Sequence, residues 1–289
     1  MQTQEARDVQ RLHIRSTVAG VDHGAATTWC LQNGRSGMGW RLHKSRGTAT
    51  WIEYVESTGH LNTNVRRFHD LGVGTLLWTR EPSGEYWLGE VKGEWEYLDN
   101  AAAREFDLFC TRPTKWIQIG TEEKVPGKVV NAFRSQRTLQ RIGDPGARAY
   151  TNRIFARASS PDLELDVVDP DVVLRSLIGA EDLEDLVSVY LQVRYGYVLV
   201  SRFRSTPGYE YVLKGARGET IVASVKSGET PVSLDLLPAD SADLAYVFSV
   251  SGTQVGSTDM AVETIGFDDL LEFMASSTSV LPNRVSAWL

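Results

Sequence analysis

Glu210 sits in the apolar segment Tyr209-Glu210-Tyr211, and one hairpin later Ile221-Val222-Ala223-Ser224-Val225 leads into Lys226-Ser227-Gly228. An acid at the end of one strand and a lysine inside the next are residue types that phosphodiester hydrolysis requires. A carboxylate can hold a divalent cation, which activates water and neutralises the leaving oxygen, and a lysine beside it stabilises charge on the phosphate. Magnesium keeps several of its own waters, so two acids can suffice. Upstream, Glu181-Asp182-Leu183-Glu184-Asp185 opens an amphipathic stretch, and Glu184 lies near the start of the helix that ends at Gly196-Tyr197. The expected catalytic residues are therefore Glu184, Glu210 and Lys226, with Glu184 and Glu210 as ligands of Mg2+ or Mn2+, together with Ser224, two before the lysine, where such sites usually carry Glu, Asp or Gln. Ser224 is the weak member, because a serine hydroxyl replaces a carboxylate or amide poorly at a metal. An acid, a hairpin and a lysine alone describe many ordinary exposed hairpins; the order of the flanking elements raises this one above them.

Those flanks predict the scaffold. Leu183, Leu186, Val187, Tyr190, Leu191 and Arg194 have helical spacing. Strands are expected at Tyr197–Val200, Tyr209–Leu213 and Thr220–Val225. The continuous apolar run Ala245–Val250 reads as a strand buried on both faces. A second helix is expected at Phe267–Met274, giving a mixed sheet flanked by helices. Residues 1–142 have another rhythm of short alternating runs separated by Gly and Pro turns, among them Thr27–Leu31, Gly74–Arg80, Glu85–Val91 and Lys115–Gly120. They predict a small β-barrel or strongly curved sheet, with helices only near Asn64–Asp70 and Val129–Gln136. The pattern loosens at Gly143-Asp144-Pro145-Gly146 and Ser159-Ser160-Pro161. The expected organisation is a two-domain α+β or α/β chain: 1–142, a linker at 143–170 with part of Tyr150–Ala158 as a connecting helix, and 171–289.

Seven of the eight tryptophans precede residue 120. Most belong in a core, but tryptophan is rarely fully buried. Two or three facing a pocket would stack on an extruded base. The candidates are Trp29 and Trp40 near the Gly37-Met38-Gly39 turn, and Trp87, with Arg80 for a backbone phosphate. The net charge of −7 excludes a uniformly basic nucleic-acid-coating protein. Local basic clusters remain at Arg35, Arg41, His43, Lys44 and Arg46; at Arg134, Arg137 and Arg141; at Arg148 and Arg153; and at Arg202 and Arg204. Cys30 and Cys110 form neither a zinc pattern nor a disulfide framework. The polar start is not a signal peptide and no run approaches a membrane span, so a cytoplasmic location is expected.

Residues from about Glu181 to Trp288 resemble the Mrr-like branch of the PD-(D/E)XK nuclease superfamily. The resemblance rests on Glu184 before Gly196-Tyr197, on Glu210, on Ser224-Val225-Lys226 in place of Gln-x-Lys, and on the closing Leu281–Trp288. Gly37–Trp40, Val65–Phe68, Gly72–Arg80 and Val125-Pro126-Gly127 resemble EVE and related PUA-superfamily domains over about Thr17–Ile142. Together the resemblances imply a base-reading barrel fused to a nuclease. That combination is a modification-dependent restriction endonuclease acting on double-stranded DNA, expected to be a homodimer because a duplex has two strands to cut. Two alternatives stay open: a non-catalytic reader with a degenerate nuclease fold, which Ser224 favours, and an RNA-binding accessory protein.

Overall fold

The computed structural model describes residues 7–16, 18–43, 47–59, 61–160, 165–203 and 206–289. Lys44, Arg46 and Arg204 of the basic clusters, and Pro161, lie outside the described residues. The chain divides into two compact units, Met1–Leu165 and Asp166–Leu289. No helix among the described residues is long and apolar enough to cross a membrane.

The first unit runs β1 (Val9–Leu12), α1 (His23–Gln32), β2 (Arg35–Met38), β3 (Thr48–Ala49), α2 (Trp51–Thr58), α3 (Thr63–His69) and β4 (Leu76–Arg80). It continues through β5 (Tyr86–Val91), β6 (Glu96–Leu98), α4 (Ala101–Phe106), β7 (Cys110–Gly120), α5 (Gly127–Ala132), β8 (Leu139–Arg141) and α6 (Pro145–Ser159). The strands form one mixed sheet in the order β3-β6-β7-β5-β4-β1-β8, with β2 also paired to β7. This corrects the expected barrel: among the described residues the end strands β3 and β8 do not pair. The burial explains why. A barrel collects its apolar residues in one interior, whereas this sheet buries a different cluster on each face. Leu76, Trp78, Tyr86 and Leu88 join one cluster, and Leu77 and Val91 join the other, following the two-residue alternation of a strand.

The segment Thr27–Leu31, expected as a strand, lies in α1. Its β-branched and aromatic residues favour a strand, but Asp22 caps a helix by accepting from the backbone N–H groups of Gly24 and Ala25. Ala26, Thr27 and Cys30 then bury with helical spacing. Helices α2 and α4, also unexpected, begin at comparable caps: Thr50 with Glu53 in a capping box, and Asn100 accepting from Ala103. The helix expected within Tyr150–Ala158 is present as part of α6, which starts earlier and packs into the first unit. Asp144 and Pro145 start α6, which buries Tyr150, Thr151 and Phe155; the Trp78 indole donates to Thr151 Oγ1 at 3.1 Å.

The second unit contains α7 (Pro170–Val172), α8 (Ala180–Tyr195), β9 (Val198–Arg202), β10 (Tyr211–Lys214), β11 (Thr220–Lys226) and β12 (Val232–Ser233). It closes with β13 (Leu244–Ser249), β14 (Gln254–Val255), β15 (Val262–Thr264), α9 (Phe267–Ser276) and α10 (Asn283–Ser286). Its five-stranded sheet has the order β15-β13-β11-β10-β9. Strands β9, β10 and β11 form an antiparallel meander, and β11, β13 and β15 are parallel, so the sheet is mixed as expected. Gly196, at φ 71°, ends α8 in the left-handed region and turns the chain into β9. Tyr246 and Phe248 of β13 meet rings from the helix side, Tyr195 and Phe267. Val222, Ala245 and Val247 face a second cluster with Val232 and Leu237.

Candidate functional site

The meander brings three of the four expected catalytic residues to one place. Glu210 precedes β10 by one residue, and its backbone N–H donates to the Ala223 carbonyl at 2.8 Å, which registers it beside β11. Lys226 Nζ lies 2.5 Å from Glu210 Oε1, and the Val225 backbone N–H donates to Glu210 Oε2 at 2.7 Å. The carboxylate is therefore fixed at both oxygens. Ser224 shares the Lys226 face of β11 by alternation. It is buried, and its Oγ has no hydrogen-bond partner among the described residues.

Glu184 comes from the first turns of α8. Burial raises its pKa, the Glu210 charge raises it further, and Arg202 opposes both. The two expected metal ligands thus feel each other. Arg202 of β9 places Nη2 3.3 Å from Glu184 Oε2 and Nη1 2.9 Å from Asp185 Oδ1. Its guanidinium carbon lies 5.7 Å from the Tyr211 ring centroid. Arg284 of α10 closes the far side, with Nε 2.6 Å from Asp182 Oδ1 and Nη2 2.8 Å from Asp185 Oδ2. Burial raises the Asp182 pKa against the pull of Arg284.

Arg202 appeared in the sequence only as part of a basic cluster, and Asp182, Asp185, Tyr211 and Arg284 had no role there. Asp185 had a readable signal, being adjacent to Glu184 in an acidic helix start. Arg284 lay only within the closing Leu281–Trp288 stretch, with no sign of its partner: it is 99 residues from Asp185 in sequence and only the docking of α10 on α8 unites them.

The donor chemistry suits a hard divalent cation. Glu184 and Glu210 offer oxygen ligands, and their mutual repulsion is what a shared cation would relieve. No group of three or more His, Cys, Asp or Glu among the described residues is arranged to hold a metal ion. Glu184 and Glu210, now paired with Arg202 and Lys226, are the two carboxylates that could hold such an ion, and magnesium needs no more than one or two.

In the first unit the four expected base-binding residues are not brought to one pocket. Trp40, after β2, lines two cavities; neither is lined by Trp29, Trp87 or Arg80. Trp29 packs beside Phe106 with ring centroids 6.2 Å apart. The Trp87 indole donates to Glu81 Oε2 at 3.0 Å. Arg80 stacks over Tyr86 and Phe133, at 5.7 and 5.4 Å from their ring centroids. For Arg80 the physical reason is the two-faced sheet: it contacts rings of one cluster, whereas Trp29 and Trp40 pack against the other. Trp51 and Trp95 pack edge to face at 5.1 Å beside Tyr54.

No family model matches the chain, and neither a curated protein nor a solved structure matches it.

Proposed function

We propose that the chain is a metal-dependent endodeoxyribonuclease of the modification-dependent type, whose second unit cuts DNA and whose first unit reads a modified base. One observation carries the reading: the 2.5 Å contact of Lys226 with Glu210 on neighbouring strands, with Glu184 close enough to feel the Glu210 charge. Lys226 supplies positive charge where a non-bridging phosphate oxygen would sit, and Glu210, held by the Val225 N–H, fixes its position. Arg202 and Arg284 balance the acidic start of α8 and hold Asp185 from both sides. A Mg2+ or Mn2+ ion held by Glu184 and Glu210 would supply an activated water and charge neutralisation. Cutting both strands of a duplex calls for a second copy of the chain.

The test is incubation with phage genomic DNAs bearing different base modifications, and with plain plasmid, in Mg2+ or Mn2+. Cleavage confined to a modified DNA, and lost in Lys226→Ala, is expected. No cleavage of any modified DNA with either ion would leave the second reading, a non-catalytic reader. That reading is favoured by the engagement of Glu184 with Arg202 and by the short side chain of Ser224. Competition between RNA and duplex DNA tests the RNA-binding alternative.

A further inference from the structure

Trp40 and Asp107 are the two non-glycine residues with positive φ among the described residues, at 71° and 53°. They line the same cavity, of about 300 Å³, which Ser16 and Gly39 also line. Asp107 takes this conformation as the left-handed C-cap of α4, which aspartate tolerates; for a residue as bulky as Trp40 it is unusual and persists only where the surroundings enforce it. The surroundings here are explicit. The hydroxyl of buried Tyr54 donates to the Trp40 carbonyl at 3.0 Å, and the Leu42 N–H donates to the hydroxyl of buried Tyr97 at 3.0 Å. The Ser16 hydroxyl, in a residue only 8% exposed, donates to Asp107 Oδ2 and accepts from the Val18 N–H at 2.8 Å. A Cβ at Gly39 would lie 2.6 Å from Asp107 Oδ2, so glycine is what lets the carboxylate enter. Asp107 Oδ1 has no hydrogen-bond partner among the described residues.

We propose that this cavity holds one extruded DNA base with its face on Trp40 and its amino-bearing edge on Asp107; this rests on the reading of the first unit as a DNA reader. The volume is at the small end of ligand sites and fits one base better than a larger ligand. A carboxylate only accepts hydrogen bonds. Adenine, cytosine and guanine each offer it an exocyclic amino group. Thymine has one N–H flanked by two carbonyl oxygens, which the carboxylate repels. Arg15 and Arg41 line the same cavity, where flanking phosphates would be met, and Arg41 is at the same time paired with Asp99 at 3.3 Å. A modification read here therefore leaves at least one amino N–H in place.

The experiment is fluorescence-anisotropy binding of the full chain, in EDTA to prevent cutting, to duplexes with a single A, C, G or T opposite an abasic site. The A, C and G duplexes are expected to bind at least about tenfold tighter than T, the worth of one hydrogen bond to a charged group. Asp107→Asn should bring that ratio to within about twofold of unity, because the amide can turn a donor toward thymine. Trp40→Phe should keep the ratio, and Trp40→Ala should weaken all four by roughly 5-fold to 100-fold. If Trp40→Ala weakens binding but Asp107→Asn leaves the order unchanged, the edge assignment is wrong and the reader stands. If both variants bind every duplex as the parent does, this cavity does not hold the base and the proposal falls; if the parent binds none of the duplexes, the reader itself falls. Purine in place of adenine deletes the amino group without touching the protein. Equal binding of the two overturns the proposal even if Asp107→Asn fails to fold.

Discussion

Lys226 and Glu210 pair in the absence of substrate, so each holds the other in place. Lys226→Ala is expected to lower DNA cleavage by at least about 100-fold, the scale of losing one preorganised electrostatic group; a nicking assay reads it. Glu184 behaves differently. Its folded pKa lies above the ordinary glutamate value, from burial first and Glu210 second. The folded state therefore holds this proton more tightly than the unfolded chain, and the contribution to stability falls as pH rises from the ordinary value through the raised one. Glu184→Gln should accordingly leave Tm at pH 7 equal to or above the parent's while weakening Mn2+ binding, measured by calorimetry. A lowered Tm would mean that the Arg202 pair outweighs the cost of burying the charge. Ser224 carries a buried hydroxyl with no partner among the described residues. Ser224→Ala is expected to be neutral or stabilising by up to about 1 kcal/mol, since it deletes an unpaired polar group. Ser224→Gln should raise metal-dependent cleavage at a packing cost of about 1–3 kcal/mol. Urea denaturation and the nicking assay together check both.

Among the elements, β7 is the spine of the first unit: it pairs with β2, β5 and β6. Arg112 of β7 is fully buried, and its guanidinium donates to the carbonyls of Phe68, His69 and Leu71 at the end of α3, and to Gly93. It thus caps a helix and ties a loop to the sheet. Arg112→Met would leave those carbonyls unpaired and is expected to cost at least about 3 kcal/mol. Tryptophan fluorescence during urea unfolding reports on this unit, which holds seven of the eight tryptophans. A change under 1 kcal/mol would mean that water satisfies the carbonyls instead. In the second unit β11 has the corresponding place, paired on both sides and bearing Lys226 at its end.

For the molecule as a whole, the division into two units predicts separable activities. Lys226→Ala should keep the preference for modified over plain DNA, and Trp40→Ala should keep Mn2+ affinity within about twofold, because each residue acts inside its own unit. Anisotropy and calorimetry on both variants check this. Loss of recognition in Lys226→Ala would end the division of labour.

What the sequence determined by itself is what local rules govern. The helix from Ala180 to Gly196, the hairpin carrying Glu210 and Lys226, the doubly buried run at β13 and the helix at Phe267 follow from periodicity and glycine placement. The meeting of Lys226 with Glu210 needed only hairpin register, so it too was legible. Tertiary structure decided the rest. In α1, Asp22 and the burial of Ala26, Thr27 and Cys30 overrode strand propensity. The openness of the first sheet came from two apolar faces, each satisfied by its own cluster, a fact that alternation alone does not reveal. The Trp40 cavity depends on Ser16, Gly39 and Asp107, which lie far apart in sequence; Gly39 and Asp107 meet because Met38 of β2 pairs with Cys110 of β7, and Ser16 joins them through its bond to Asp107. Arg284 reaches Asp182 and Asp185 only because α10 folds back on α8. Contacts of this range have no local signal, because nothing in a residue's neighbours in sequence encodes which distant side chain will satisfy its charge.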